Sequence, residues 1–263
     1  NRRIFLTGAV KGVLSGLIIP SVMVPQVLSF TNEAKEINDQ EKQALFKDYF
    51  YAYFIDVTKC ICCGMCVKAC KEENNVPDGF FRTWIERYVI ASSDEIDKEH
   101  PAGQVFIDSP NAGLDGFADS PDNLKTEKAF FVPKMCNHCQ NTPCSQVCPV
   151  GATYVSDEGV VLVDQERCMG CGYCVQACPY GSRFINRQTK TADKCTWCYH
   201  RITKDKLPAC VEACPRGVRR FGNLKDKNDE IRKILANEMV SVLKPDLLTK
   251  PKCYYKGIDQ EVL

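Results

Sequence analysis

The stretch RCMGCGYCVQACP, residues 167–179, separates four cysteines by two, two and three residues and ends in a proline. Gaps of two residues allow one tight loop to direct three thiols, those of Cys168, Cys171 and Cys174, at the same small metal centre. The next cysteine, Cys178, follows one helical turn later and points away from that loop. The stretch therefore predicts a metal-binding loop whose fourth cysteine is free to serve a neighbouring centre.

Related groups of four cysteines occur four times, with a longer second gap in the second and fourth groups, and this repeat is the dominant feature of the sequence. The four groups are Cys60, Cys63, Cys66 and Cys70; Cys136, Cys139, Cys144 and Cys148; Cys168, Cys171, Cys174 and Cys178; and Cys195, Cys198, Cys210 and Cys214. Proline follows the last cysteine of every group except the first. In two-cluster ferredoxins the fourth cysteine of such a loop binds the other cluster. The repeat thus predicts four [4Fe–4S] clusters as cofactors.

Two other uses of cysteine compete with this interpretation. Zinc sites also contain cysteine pairs two residues apart, but they do not need four cysteines at this spacing followed by proline. Disulfides suit an exported protein, but disulfide bonding does not explain why a ferredoxin-like cysteine pattern occurs four times. Two cysteines lie outside the groups, Cys62 beside Cys63 and Cys253 near the C-terminus. We interpret both as spare thiols, with Cys62 as an alternative ligand if the first loop shifts.

Composition narrows the possible functions. The chain has 263 residues, of which 44% are hydrophobic and 25% charged, and its net charge is +1. These values are ordinary for a globular protein, and the balanced charge gives no indication of nucleic-acid binding. The sequence contains no nucleotide-binding glycine motif, no Ser-His-Asp arrangement and no catalytic pair of carboxylates. We therefore expect electron transfer without catalytic residues.

The N-terminal sequence predicts export and a membrane anchor. Residues 1–7, NRRIFLT, contain adjacent arginines followed by x-Phe-Leu, which is typical of a twin-arginine signal. Residues 12–30 carry no charge and are long enough to span a bilayer, although Pro20 and Pro25 would kink a helix there. Basic residues precede this segment, which places the N-terminus in the cytoplasm. We expect residues 1–30 to be a retained anchor, with a removable signal peptide or a buried helix as the alternatives.

The pattern after the anchor predicts an α+β fold of two ferredoxin-like dicluster units with loop insertions. We expect a helical linker over residues 31–50, the four-cluster domain over 51–225, and a C-terminal helix and tail over 226–263. Strands are predicted at 51–56, 81–91 and 160–164, and a helical turn follows each third cysteine. Residues 91–128 are acidic and rich in proline and glycine, which predicts a surface loop that could dock a partner. Apolar spacing over 228–244 predicts an amphipathic helix stopped by Pro245, packing on the core or on a partner.

Other residues near the cysteines have expected supporting roles. His138 and His200 lie in or beside ligand loops, but each group already has four cysteines, so we do not expect histidine ligands. Trp197 and Tyr199 flank Cys198 and are interpreted as apolar cover against water. Five cations surround the last group and could raise cluster potentials or be ordinary surface charges: Lys194, Arg201, Arg216, Arg219 and Arg220.

Residues 51–223 resemble the four-cluster iron–sulfur subunits of the dimethyl-sulfoxide-reductase class. The motifs that carry the resemblance are residues 60–77, the segment 160–181 and the segment 191–201, whose sequence is TADKCTWCYHR. The short sequences FRT at 81–83 and LKP at 243–245 are similar to exported members such as tetrathionate, polysulfide and formate-dependent nitrite reductase electron-transfer subunits.

The resemblance implies crosswise ligand sets, which we number as centres. Centre 1 would contain Cys60, Cys63, Cys66 and Cys214; centre 2, Cys195, Cys198, Cys210 and Cys70; centre 3, Cys136, Cys139, Cys144 and Cys178; and centre 4, Cys168, Cys171, Cys174 and Cys148. Spacing alone shows only that crosswise ligation is possible.

The resemblance also implies partners and a location. It implies electron transfer between a polytopic quinone-reactive membrane subunit and a molybdopterin catalytic subunit, at the extracytoplasmic face of the cytoplasmic membrane. One alternative partner is a multihaem cytochrome c in a complex without molybdenum, such as the membrane complex that accompanies dissimilatory sulfite reduction. An alternative of another class is a structural metal-binding scaffold without an electron-transfer role.

Overall fold

Short helices and small sheets make up the described part of the chain. The computed structural model describes residues 48–91, 104–117, 126–259 and 262. They fall within one compact unit, Asn38–Leu263, whereas the unit Asn1–Ile37 lies outside the described residues. The predicted anchor (1–30) and nearly all of the predicted linker (31–50) therefore lie outside them too. Within the described ranges no helix is both long and apolar enough to cross a bilayer.

The described elements are numbered in chain order. The strands are β1 (Tyr51–Asp56), β2 (Thr83–Ala91), β3 (Val105–Asp108), β4 (Thr126–Met135), β5 (Thr153–Val155), β6 (Val161–Val163), β7 (Arg183–Ile185), β8 (Ala192–Lys194), β9 (Arg219–Asn223) and β10 (Cys253–Lys256). The helices are α1 (Met65–Asn74), α2 (Pro143–Gln146), α3 (Tyr173–Gln176), α4 (Tyr199–Ile202), α5 (Ala209–Glu212) and α6 (Glu230–Asn237).

A central three-stranded sheet joins the two ends of the described chain. Strand β1 lies between β10, to which it is parallel, and β9, to which it is antiparallel. Tyr53 is opposite Cys253 on one side and Phe221 on the other. Every residue of β1 is buried, which agrees with a central strand covered on both faces. The residues that we predicted as a C-terminal tail thus contribute a core strand.

The second sheet corrects the prediction of a continuous surface loop over residues 91–128. Strand β2 pairs with β4 and also with β3, which lies inside that segment. A 3₁₀ turn at Pro110–Gly113 follows β3 and buries Ala112 and Gly113. The short apolar run at 105–107 supplies a strand because β2 offers a free edge for pairing. Residues 92–103 and 118–125 of the segment lie outside the described parts.

A helix–turn–strand unit is built three times around the cysteines. Helices α2, α3 and α5 each have four residues and end two positions before a Cys-Pro-x-Gly turn. The glycines of these turns, Gly151, Gly181 and Gly217, have φ of 63°, 63° and 59°, a left-handed conformation that favours glycine. Each glycine N–H bonds to the carbonyl of the cysteine three residues earlier. Strands β5, β7 and β9 begin two residues after the glycines.

Helix α6 is shorter than predicted. It begins as expected, because the Asp229 carboxylate accepts a hydrogen bond from the Ile231 N–H at 2.9 Å and caps the helix. It ends at Asn237 and not at Pro245, because Glu238 is already extended. Ser241 then exchanges two backbone hydrogen bonds of 2.8 Å with Tyr255 of β10. Pairing with the sheet therefore replaces the last predicted turns, and the buried face of α6 packs on β1.

Candidate metal centres

One cysteine-lined cavity corresponds to the predicted centre 1. Cys60, Cys63 and Cys66 line it from the first loop, and Cys214 lines it from the turn after α5. Strand β9 holds that turn against β1, so residues from the two ends of the described chain meet here. The Val218 N–H donates to the Cys214 sulfur at 3.3 Å, which favours an anionic thiolate at that position.

A second cavity corresponds to the predicted centre 3. Cys136, Cys139 and Cys144 line it from one loop, and Cys178 lines it from the turn after α3. The same cavity is bordered by the guanidinium-bearing Arg183. Two loops from different repeats therefore share one cavity, as crosswise ligation requires.

The cysteines of the predicted centre 2 are brought together by α1 and the last cysteine group. Asn74, at the end of α1, donates from its Nδ2 to the Cys70 carbonyl at 3.0 Å, and the same nitrogen lies within hydrogen-bonding distance of the sulfurs of Cys70 (3.7 Å) and Cys198 (3.6 Å). Burial, followed by the proximity of Cys195, Cys210 and Cys198, raises the pKa of the Cys70 thiol. The amide N–H groups of Asn74 suit sulfurs that carry negative charge, as thiolate ligands do. Sequence reasoning missed Asn74, which lies outside every cysteine spacing.

Two cysteines of the predicted centre 4, Cys168 and Cys174, lie beside Cys144 of the predicted centre 3. Helix α3 packs on α2, and this places Cys174 beside Cys144 in one apolar cluster that includes Cys168. The Ala192 N–H donates to the Cys168 sulfur at 3.3 Å. The remaining member, Cys148, follows α2 at the first Cys-Pro-x-Gly turn.

The turn around Cys148 forms a backbone nest for an anionic sulfur. Burial raises the pKa of Cys148, but backbone N–H groups of Thr153, Val150, Ala152 and Gly151 outweigh it and lower the pKa below the ordinary value. Successive N–H groups of this kind bind anions in proteins. The site is therefore organised for a deprotonated ligand.

The thiols and their surroundings fit cubane clusters better than the alternatives. All 18 cysteines are free, which contradicts a disulfide framework. In the described ranges no three or more His, Cys, Asp and Glu side chains converge as ligands of a single metal ion would. The thiols of the predicted centres 1 and 3 instead surround cavities, as a cubane with one cysteine on each iron requires. Buried guanidinium N–H groups of Arg183 and Arg219, the latter lining the first cavity, lack hydrogen-bond partners there and suit an anionic cluster.

The boundary between centres 2 and 3 is filled by a buried histidine and a tryptophan. His138 is fully buried; its Nε2 lies 2.9 Å from the Cys195 carbonyl, and its Nδ1 accepts from the Val161 N–H at 2.9 Å. Burial and the nearby Lys194 hold its pKa well below the usual range. The ring is stacked on Trp197 with centroids 4.0 Å apart. Both ring nitrogens are thus engaged with backbone, and Trp197 excludes water as expected.

The other predicted supporting residues divide between core and surface. His200 contacts Glu73 at 2.7 Å, and Arg201 contacts the same carboxylate at 2.7 Å. Lys194 is buried and donates to the Cys195 carbonyl at 2.6 Å. Arg219 is buried, whereas Arg220 is half-exposed and lies 3.7 Å from Glu230. Sequence reasoning missed Arg183, although it occupies the same position after Cys178 as Arg219 does after Cys214.

The spare cysteines are both buried. Cys253 is fully buried in β10, and its thiol lies 3.6 Å from the Cys136 carbonyl, to which it donates. Cys62 borders the first cavity but has a left-handed φ of 52°. The Cys62 sulfur lies beside the 3₁₀ turn at Pro110–Gly113, because a Cβ atom placed on Gly113 would be only 3.5 Å from it.

Electrostatic influences between cations and sulfurs indicate a linear order of the predicted cysteine sets. The charge of Arg219 acts on Cys66 of centre 1 and Cys210 of centre 2. Cys195 of centre 2 lies close enough to Cys136 of centre 3 to raise its own pKa, after the larger effect of burial. The charge of Arg183 acts on cysteines of centres 3 and 4. The order is therefore 1–2–3–4.

Cysteine-lined cavities inside repeated helix–turn–strand units define a ferredoxin-like protein with two dicluster units. A family model described as a 4Fe-4S dicluster domain matches residues 127–224, and another of the same description matches residues 59–152. Together the matches imply four [4Fe–4S] clusters, as the sequence predicted.

Several characterised proteins are similar over most of the chain. A tetrathionate reductase subunit from Archaeoglobus fulgidus is 44% identical over 208 residues, covering 79% of this chain and 82% of that protein. A tetrathionate reductase subunit from Salmonella typhimurium is 40% identical over 213 residues, covering 80% and 73%. A polysulfide reductase component from Wolinella succinogenes is 34% identical over 205 residues, covering 78% and 92%. The chain belongs to the family of four-cluster iron–sulfur electron-transfer subunits of the dimethyl-sulfoxide-reductase class.

Proposed function

We propose that this subunit conducts electrons through centres 1, 2, 3 and 4 between two partner subunits of a respiratory oxidoreductase complex. Each [4Fe–4S] cluster supplies a one-electron redox centre when bound. The chain holds the clusters in sequence through the four crosswise cysteine sets, covers them from water and tunes their potentials. It performs no bond chemistry on a substrate.

The observation that carries this proposal is the exposure at the two ends of the row. Cys63 of centre 1 and Cys171 of centre 4 are exposed, whereas Cys136, Cys139 and Cys195 of the inner centres are buried. Electrons therefore have a surface entry and a surface exit, with protected centres between them. A structural scaffold has no need of exposed terminal centres joined by buried ones.

Exposed apolar side chains surround each terminal loop. Ile61 and Met65 flank Cys63 and are 57% and 47% exposed, and Met169 and Tyr173 flank Cys171 and are 64% and 56% exposed. Apolar groups of this kind beside a redox centre suit a protein partner. We infer that one partner docks at each terminal loop.

The family and the N-terminal sequence support a proposal about the partners. We propose a polytopic quinone-reactive membrane subunit at one end and a molybdopterin catalytic subunit at the other. Relatives named as components of tetrathionate and polysulfide reductases support such a complex. We further propose that residues 1–30 anchor the subunit at the extracytoplasmic face of the cytoplasmic membrane; this segment lies outside the described residues and the proposal rests on its twin arginines and uncharged run.

The decisive experiment combines composition with electron flow. The complex is extracted in mild detergent and its subunits are identified by mass spectrometry. Electron flow is then compared for the native chain, Cys139→Ser and Cys171→Ser, with Cys62→Ser as the matched control. We expect both ligand variants to abolish quinol-linked turnover while artificial-donor activity of the catalytic subunit persists, and the control to retain both activities.

Two results would overturn the proposal. Normal quinol-linked turnover in Cys139→Ser or Cys171→Ser would show that electrons bypass the row. Co-extraction of a multihaem cytochrome c without a molybdopterin subunit would show that the proposed catalytic partner is wrong. The chain would then be a relay between the cytochrome and the quinone-reactive subunit.

A further inference from the structure

Two buried arginines occupy equivalent positions in the repeat. The sequences Cys-Pro-Tyr-Gly-Ser-Arg at 178–183 and Cys-Pro-Arg-Gly-Val-Arg at 214–219 each end in an arginine that begins a strand. Arg183 and Arg219 are 5% and 1% exposed. Neither forms an ion pair with a carboxylate among the described residues. A guanidinium in such a place needs compensating negative charge.

Arg183 lies between centres 3 and 4. Its Nη1 donates to the Thr153 hydroxyl at 3.2 Å, and its buried Nε and Nη2 have no nitrogen or oxygen acceptor. It borders the cavity of centre 3. Burial lowers its pKa, but the proximity of Cys144, Cys136 and Cys174 outweighs this and raises it. Thr153 itself occupies the arginine's position in the first Cys-Pro-x-Gly repeat.

Arg219 repeats this arrangement between centres 1 and 2. Its Nη2 donates to the Thr83 hydroxyl at 2.8 Å, and its Nη1 is buried without a partner. It borders the cavity of centre 1. Burial lowers its pKa, but Cys66 and Cys210, one cysteine from each centre, raise it well above the ordinary value. One threonine contact and free N–H groups near two centres are therefore common to both arginines.

We propose that Arg183 and Arg219 are internal counter-cations, each shared by the two clusters of one dicluster unit and each raising the reduction potential of both. The proposal rests on the cluster ligands assigned above. Reduction adds one electron to a cluster and no proton, so the negative charge grows and a fixed nearby cation stabilises the reduced form. Buried charges are screened little by salt or water, and arginine cannot lose its proton in a protein.

The planar guanidinium explains why arginine stands at both positions. It presents five N–H donors in a fixed fork, so one edge can hold a threonine while other N–H groups face cysteine sulfurs of two clusters. A lysine offers one compact charge and cannot span two centres in this way.

The test is a redox titration followed by electron paramagnetic resonance on the full-length, cluster-loaded protein. Arg183→Gln and Arg219→Gln remove the buried charges, and Arg187→Gln and Arg220→Gln are matched controls at nearby exposed or half-exposed arginines. The signals of clusters 1 and 4 are assigned from their loss or change in Cys63→Ser and Cys171→Ser. We expect Arg183→Gln to lower the equilibrium constant for reduction at least tenfold in clusters 3 and 4 and in no other cluster. Arg219→Gln should lower it by the same factor in clusters 1 and 2 alone. For a one-electron couple a tenfold change is 59 mV. The controls should shift no cluster by that amount.

The outcomes separate this proposal from the ligand assignment. Iron analysis that finds fewer than four clusters in the native protein would overturn the assignment itself. Four clusters with unchanged potentials in both glutamine variants, or equal shifts of all four clusters in either one, would overturn only the arginine proposal. If the glutamine variants do not load iron, Arg183→Lys and Arg219→Lys test the sharing of one guanidinium by two clusters. Lysine keeps the charge but reaches only one centre, so we expect one cluster of the affected pair to keep its potential and the other to show a lowered one. Native potentials in both clusters of each pair would overturn the sharing.

Discussion

Cys62 and Cys63 are neighbours in the sequence, yet their thiols have different surroundings. Cys63 is exposed on the loop that borders the first cavity, whereas Cys62 is 8% exposed beside the turn at Pro110–Gly113. Burial and the nearby thiols of Cys60, Cys66 and Cys63 raise the pKa of Cys62 to about 12. The backbone at Cys62 is left-handed, so the loop turns sharply between the two residues. The spacing and this geometry both favour Cys63 as the ligand.

This difference predicts unequal effects of two adjacent substitutions. Cys63→Ser should remove or convert the cluster of centre 1, because one iron loses its thiolate. Cys62→Ser should retain four clusters, because its thiol is not needed as a ligand. Iron and sulfide analysis with electron paramagnetic resonance checks both variants. Loss of a cluster in Cys62→Ser with an intact set in Cys63→Ser would reverse the assignment.

Asn74 supplies a second prediction at the residue scale. Asn74→Asp keeps the oxygen that accepts from Arg82 but replaces the N–H donors to two sulfurs with a negative oxygen. We expect the potential of the centre 2 cluster to fall by about 40 mV or more, which corresponds to about 1 kcal/mol for one hydrogen bond. The measurement is a redox titration.

The matched control is the neighbouring exposed residue. Asn75→Asp adds the same charge one position further along the chain, where Asn75 is exposed at the end of α1. Solvent screens that charge, so we expect no comparable shift. Equal shifts in the two variants would show that the hydrogen bonds of Asn74 have no special role.

At the scale of elements, β10 closes the fold around the centres. It pairs with β1 and carries Cys253 beside the loop of centre 3. The preceding residue, Lys252, bonds to the Gly159 carbonyl and lies 5.2 Å from the Trp197 ring centroid. Burial lowers the pKa of Lys252 to about 8. The C-terminal strand therefore covers the boundary between the two dicluster units.

Tyr255 tests the importance of β10. Its side chain is fully buried, and its hydroxyl lies 3.3 Å from the Pro133 carbonyl, to which it donates. Tyr255→Ala should lower the free energy of unfolding by about 3–5 kcal/mol, as large aromatic truncations in a core do. Tyr154→Ala, at a position that is 45% exposed in β5, is the control. Thermal unfolding followed by cluster absorbance compares them, and equal midpoints would contradict a core role for β10.

At the scale of the whole molecule, the row of centres has two exposed ends. Ile61→Lys and Met169→Lys place a charge on the apolar surface of one end each. We expect each variant to keep four clusters but to slow electron exchange with only one partner at least tenfold, because an unpaired charge at an apolar interface is costly. Stopped-flow oxidation and reduction by the separated partners measures this.

A distant apolar residue provides the control for that experiment. Met239 follows α6 and is 93% exposed, far from the terminal loops in the sequence. Met239→Lys should leave exchange with both partners unchanged. If it slows exchange as much as Ile61→Lys or Met169→Lys does, the effect is not specific to the terminal loops.

The sequence by itself determined the repeat and its chemistry. In the first and third cysteine groups, gaps of two residues direct three thiols to one centre whatever the rest of the molecule does, because they depend only on local geometry. The Cys-Pro-x-Gly turns are local for the same reason, since proline and a left-handed glycine act within a few residues. Strands β1, β2 and β6 were also predictable, because they are rich in apolar, aromatic and β-branched residues.

The tertiary structure decided which distant residues meet. Cys214 reaches the first loop only because β9 pairs with β1, and β3 exists only because β2 offers an edge. The same holds for Asn74, Arg183 and the strand containing Cys253, since no local pattern records a contact between residues far apart in the sequence. Long-range pairing depends on burial summed over the whole core, so it appears only when the complete fold is known.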